Sequence, residues 1–192
     1  MPDDLRAGPD SPPTDELRSA EKSFAVLQHV LHGIADDDLH KRTPCREFDV
    51  AALTDHLLNS ISTLGAMAGA QLPERDRDAP IEQQVVFAAR SALDAWQRRG
   101  LDGTVDFRGN DVPARMMVGI LSIEFLVHAW DYAAAVGREV NAPEPLSDYV
   151  LGLARKIITP EGRVNAGFDD AIDVADDADA LTRLLAYTGR RA

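Results

Sequence analysis

The chain has 192 residues, of which 45% are hydrophobic, and its 32 acidic against 20 basic side chains give a net charge of −12. This apolar content is enough for a packed core and excludes global disorder, while the acidic balance speaks against nucleic acid and membrane surfaces, whose binding needs clustered Lys and Arg. The single cysteine, Cys45, excludes an internal disulfide and any site built from several thiolates.

Residues 1–13 hold four of the eleven prolines and several Asp, so a disordered tail is expected there, with one helical domain over 14–192. The opening MPDDLRAGPDSPP has acids and prolines where a secretory leader needs a basic start and an apolar stretch. With no uninterrupted apolar run of about 18 residues either, a cytoplasmic protein without a transmembrane helix is expected.

Leu17, Ala20, Phe24, Leu27, Leu31 and Ile34 recur in steps of three and four and predict a first helix over 15–34, capped by Thr14 or Asp15. After a loop containing Thr43-Pro44, Asp49 offers the N-cap of a second helix reaching about Ala70, with Val50, Leu53, Leu57, Ile61, Leu64 and Ala68 inward. Pro80 and Gly100 bracket a third helix. The polar connection that follows contains Thr104-Val105-Asp106-Phe107, a short extended piece that does not by itself predict a sheet. A long apolar fourth helix runs from Pro113 to Val136, with Gly137 as its stop. A fifth helix is predicted over 145–158 and a short sixth over 180–188. Six Asp lie between Asp169 and Asp179, but without the central Gly and terminal Glu of a calcium loop, so they read as a solvated loop leading to a helix N-terminus. The pattern predicts an all-α protein, a four-helix bundle with additional C-terminal helices.

Chemistry concentrates on the fourth helix. Between Arg115 and Asp131 the run MMVGILSIEFLVHAW has only two ionisable side chains, Glu124 and His128. A carboxylate buried in such a helix must be protonated, ion-paired or bound to a metal. Four residues apart, the two groups share a face and can reach one cation. A third ligand must come from a facing helix, and His56 is the one histidine on the second or third helix. Two His and one Glu leave positions open on Zn²⁺, and the same donors suit Fe²⁺ or Ni²⁺. The plainer alternative is a buried hydrogen-bonded Glu124–His128 pair, with His56 unrelated.

Other candidates are weaker. His29 and His32 point away from the apolar face of the first helix and read as solvent-facing, and His40 lies in a polar loop. Cys45 is either a small buried hydrophobe or, with Arg46 lowering its pKa, a nucleophile or extra ligand. Asp131 either orients His128 or pairs with an arginine such as Arg90 or Arg115. Trp96 and Trp130 read as core. No Gly-rich phosphate loop follows a strand, and the spacing supports no Ser-His-Asp triad.

Three stretches, Thr43-Pro44-Cys45 through Phe48-Asp49-Val50 to His56-Leu57, then Glu124 through His128-Ala129-Trp130-Asp131, then Leu184 to Arg190, resemble the actinobacterial DinB-like proteins related to the N-terminal domain of mycothiol-dependent maleylpyruvate isomerase. The likeness spans most of 15–190. It implies a DinB-like four-helix bundle holding a divalent metal, usually taken as zinc, and on this chain the implied ligands are His56, Glu124 and His128.

Two functional expectations follow. One is a metal-dependent transferase or isomerase that uses a low-molecular-weight thiol such as mycothiol on a small-molecule substrate. The other is a non-catalytic metal-binding or small-ligand-binding stress or interaction protein, with Cys45 or Asp131 closing the coordination sphere. Apolar residues on the first and third helices suggest a face for a homodimer.

Overall fold

The computed structural model describes residues 10–45, 48–72, 74–163, 168–175 and 177–191. It is mostly helical: α1 (Glu16–Leu31), α2 (Val50–Ala66), α3 (Ile81–Arg99), α4 (Ala114–Ala135), α5 (Glu144–Ile157), the single turn α6 (Pro160–Arg163) and α7 (Ala180–Tyr187). Caps fix where the site-bearing helices begin. Asp15 accepts from the Arg18 N–H and Asp49 from the Ala52 N–H, both at 2.8 Å, so each satisfies an orphan donor of a first helical turn.

Four helices close a ring, α1 against α4, α4 against α2, α2 against α3 and α3 against α1, around a core that includes Phe24, Leu53, Leu57, Ile61, Trp96, Leu121, Phe125 and Tyr132. A second core, with Ile123, Leu126 and Val127 on the other side of α4, is completed by Val150, Leu151 and Ala154 of α5 and Leu184 of α7. This sandwiching explains why α4 is apolar on nearly every side. By length and composition α4 is apolar enough to cross a membrane, a point the search for an unbroken apolar run overlooks, but 78% of its most apolar window is buried inside the protein.

Differences from the sequence reading have local causes. A turn after α2 returns the Ala70 N–H to the Gly65 carbonyl at 3.0 Å around Gly69, whose φ of 78° is cheap only for glycine, so the helix stops at Ala66. Gly65 also lets α2 approach α3, since a Cβ there would lie 2.9 Å from that of Ala92. The expected extended piece is one strand of a hairpin: β1 (Thr104–Phe107) pairs antiparallel with β2 (Asn110–Pro113), with Thr104 opposite Pro113 and Phe107 opposite Asn110. Arg108 and Gly109, at φ 56° and 81°, form its two-residue turn. Of the expected tail, 1–9 lies outside the described residues, whereas Ser11 and Pro13 are tied to the domain. Lys22 Nζ donates to the Ser11 carbonyl at 2.6 Å, and Pro13 is buried.

α2 and α4 are also locked by a buried bond at 2.9 Å between Thr54 Oγ1 and Tyr132 Oη. Thr54 donates to the Val50 carbonyl, which leaves its oxygen to accept from Tyr132. Tyr132→Phe is expected to cost about 1 kcal/mol in urea unfolding; stability equal to wild type would mean this bond contributes nothing. The large hydrophobics left exposed among the described residues are Phe87, Met116 and Val174. Of these, Phe87 lies on α3 and none lies on α1.

Candidate metal centre

The inward faces of α2 and α4 bring His56, Glu124 and His128 together, with one donor atom from each lying within 4.8 Å of the others. Glu124 is at the centre. Its Oε2 is 3.5 Å from His56 Nε2 and 3.6 Å from His128 Nε2, and among the described residues this buried oxygen has no hydrogen-bond partner. A buried carboxylate oxygen left without a donor costs free energy, and both neighbours stand just beyond hydrogen-bond reach. Donors about 2.0–2.1 Å from a tetrahedral zinc ion are about 3.4 Å apart. The two separations are thus close to what a shared cation requires, and the residues present fit a divalent metal.

The electrostatics agree. Burial alone would raise the Glu124 carboxyl, but His128 and then His56 hold it well below the usual carboxylate range. Burial would lower His128, yet Asp131 and Glu124 outweigh it and push the imidazole up to about 9. Without a metal, the cluster therefore holds a proton on His128 facing two carboxylates.

Each histidine is oriented from outside the cluster. His128 Nδ1 is 2.9 Å from Asp131 Oδ2, which leaves Nε2 facing Glu124. The His56 ring stacks on Phe48 with centroids 5.2 Å apart and meets the His128 ring edge-on at 87°. Phe48 is placed by a tight loop: Thr43 Oγ1 donates to the Phe48 carbonyl at 2.8 Å, and the Phe48 N–H donates to the Cys45 carbonyl at 2.9 Å. His56 keeps 37% of its side chain exposed against 6% for His128, so the cluster opens to solvent on the α2 side.

Asp131 pairs with neither Arg90 nor Arg115. Arg90 is exposed and Arg115 bonds Glu16 at 2.9 Å, while both Asp131 oxygens are taken by Arg190, from beyond α7, at 2.8–3.1 Å. Asp131 is spent on this bond and on His128, and it is not part of the three-donor group. Cys45 is not part of it either. Its thiol is pushed up by burial and by the Asp131 carboxylate, with Arg190 offsetting only part of this; Arg46, expected to lower it, lies outside the described residues. His29 and His40 are exposed, and His32, also exposed, bonds Glu82 at 3.0 Å. Trp96 is fully buried and donates to the Leu64 carbonyl at 3.1 Å, whereas Trp130 is half-buried.

Arg190 and Phe48 are the residues that periodicity alone leaves without a role. A Gly just past a C-terminal helix is a readable stop signal, but that the next residue turns inward to an acid 59 positions earlier is not.

The chain is 26% identical over 183 residues to two uncharacterized Mycobacterium tuberculosis proteins, MT0763 of strain CDC 1551 / Oshkosh and Rv0738 of strain ATCC 25618 / H37Rv, and the match covers 92% of this chain and 98% of each of theirs. No family model and no solved structure matches it.

Proposed function

We propose that this is a DinB-like, cytoplasmic divalent-metal protein that acts as a transferase or isomerase on small electrophiles with a low-molecular-weight thiol such as mycothiol, its metal held by His56, Glu124 and His128. The observation that carries the metal is the buried, unpartnered Glu124 Oε2 facing two imidazole nitrogens at 3.5 and 3.6 Å. Zinc is the first choice for such a donor set, with nickel and iron(II) as alternatives.

What favours catalysis over a closed structural site is the fate of the remaining candidates for a fourth ligand. Asp131 is consumed by His128 and Arg190, and Cys45 lies outside the three-donor group. Three protein ligands leave a coordination position for an exchangeable group. When bound, the metal would supply Lewis acidity that favours the thiolate form of a small thiol at neutral pH. His56 and His128 present unprotonated Nε2 atoms to it, Glu124 balances charge, and Asp131 keeps the His128 proton on Nδ1. The thiol's proton would pass to solvent and its sulfur would bond to an electrophilic sp² carbon of the substrate, whose C=C π pair shifts to the neighbouring carbon; that carbon then takes a proton from solvent in a transfer, or the pair re-forms the double bond and expels the sulfur in an isomerisation.

The test is elemental analysis of untagged protein purified without chelators, followed by assay of thiol-dependent consumption of an electrophile. About one equivalent of metal is expected, lost together with activity in His56→Ala and His128→Ala. Metal-free wild type would leave Glu124 and His128 as a buried polar pair and end the enzyme reading. Non-catalytic small-ligand binding has one specific support, a cavity of about 470 Å³ between α2 and α3 whose lining includes Leu58, Leu72, Arg75 and Phe87 but none of the three ligands. A wild type that binds metal but shows no thiol-dependent turnover would favour that second reading.

A further inference from the structure

α7 supplies no donor to the three-residue cluster, yet the chain leaving it runs straight into the network behind His128. Thr188 Oγ1 bonds back to the Leu184 and Leu185 carbonyls at 3.1 and 2.9 Å. Gly189 takes φ 81°, and the Arg190 N–H returns to the Leu185 carbonyl at 2.8 Å. This is a glycine helix stop, and it turns the Arg190 side chain inward. The turn has no room for another residue type, because a Cβ on Gly189 would sit 2.5 Å from that of Asp169.

Arg190 is buried and uses its whole fork. Nε reaches both Asp131 oxygens at 2.9 and 3.1 Å, Nη2 reaches Oδ2 at 2.8 Å, and Nη1 donates to the Thr188 carbonyl at 3.1 Å. The planar fork fixes the plane of the Asp131 carboxylate, which is fully buried, and so fixes the Oδ2 that stands 2.9 Å from His128 Nδ1. With that acceptor pinned, the imidazole hydrogen stays on Nδ1 and the Nε2 lone pair is held toward Glu124 and His56.

We propose that Arg190 is a positioning residue of the metal centre, acting through Asp131 on His128, so that the C-terminal turn after α7 is a working part of a site it does not touch. This rests on the metal reading above. A lysine would keep the charge but not the fork, and it could not hold both oxygens in one plane.

The experiment is zinc affinity of the full-length protein, measured by competition with a chromophoric chelator, for wild type, Arg190→Lys, Arg190→Met and Leu184→Ala, alongside the visible absorption bands of the cobalt-substituted proteins. Arg190→Met is expected to bind zinc about 10–100-fold more weakly, with Arg190→Lys between it and wild type and the cobalt bands altered in both. Leu184→Ala loosens α7 packing without touching the fork; it should melt at lower temperature yet bind zinc within about twofold of wild type. Wild-type zinc affinity and cobalt bands in the arginine variants would overturn the proposal. So would an affinity loss in Leu184→Ala as large as in Arg190→Lys, because docking of α7 would then suffice as the explanation. Should Arg190→Met fail to fold by circular dichroism, Arg190→Lys decides alone. A wild type that takes up no zinc ends the metal reading and this inference with it, whereas zinc-binding wild type with unaffected arginine variants ends only the inference.

Discussion

Asp131→Ala is expected to destabilise the metal-free protein by about 3–5 kcal/mol, the usual loss when one partner of a buried ion pair is removed. Asp131 is fully buried: its carboxylate holds His128 and the fork of Arg190, both buried themselves. Among the described residues, taking it away leaves the guanidinium with only the Thr188 carbonyl, and with little access to water. The loss comes from that stranded charge rather than from missing packing, so the double variant Asp131→Ala, Arg190→Met should recover a large part of it. The measurement is urea unfolding followed by circular dichroism with chelator present, which removes any contribution from bound metal. A single variant within about 1 kcal/mol of wild type would show that this pair is not the buried brace described above.

How much of this was legible without coordinates varied with the range of the interaction. Glu124 and His128 stand out because two ionisable groups interrupt an otherwise apolar helix, and a spacing of four puts them on one face; that signal is local. His56 follows by elimination on the facing helices, and the structure brings it within reach of the other two. Asp131 could be tied to His128 by its position one turn on, but its cation could not, since Arg190 depends on the path of the chain through α6 and α7.

The hairpin is hidden in the sequence for a different reason. Its turn is Arg108-Gly109, and Arg is an uncommon choice at a position needing φ 56°, so the Asn-Gly or Asp-Gly signal is absent. The apolar pattern placed the helices and the glycine stops bounded them, but α2 ended early because Gly69 captured its C-terminus before Ala70 could join. The distribution of α4 between two cores is likewise invisible in a helix that is apolar all round, since periodicity then carries no direction.

The metal-free and metal-loaded forms are expected to respond to pH in different ways. In the metal-free protein burial opposes the imidazolium of His128, but Asp131 and Glu124 raise its pKa from the ordinary 6.5 to about 9. A group raised in the folded state stabilises fully below its unfolded pKa and loses that contribution as pH rises through the folded value. Stability without metal should therefore fall by something of order 3 kcal/mol between pH 6.5 and 9. Glu124 does not cancel this, because its lowered pKa gives stability that is present throughout that window and lost only in acid. Metal requires His128 unprotonated at Nε2, so affinity rises about tenfold per pH unit over the same range. At fixed free zinc that gain offsets the loss, and the loaded protein should be nearly flat from pH 6.5 to 9, weakening only below it. Urea unfolding at pH 6.5, 7.5 and 9, with chelator or with buffered zinc, reads the difference directly. Curves that coincide at every pH would mean that no metal competes with the proton on His128, and the three-residue centre would have to be given up.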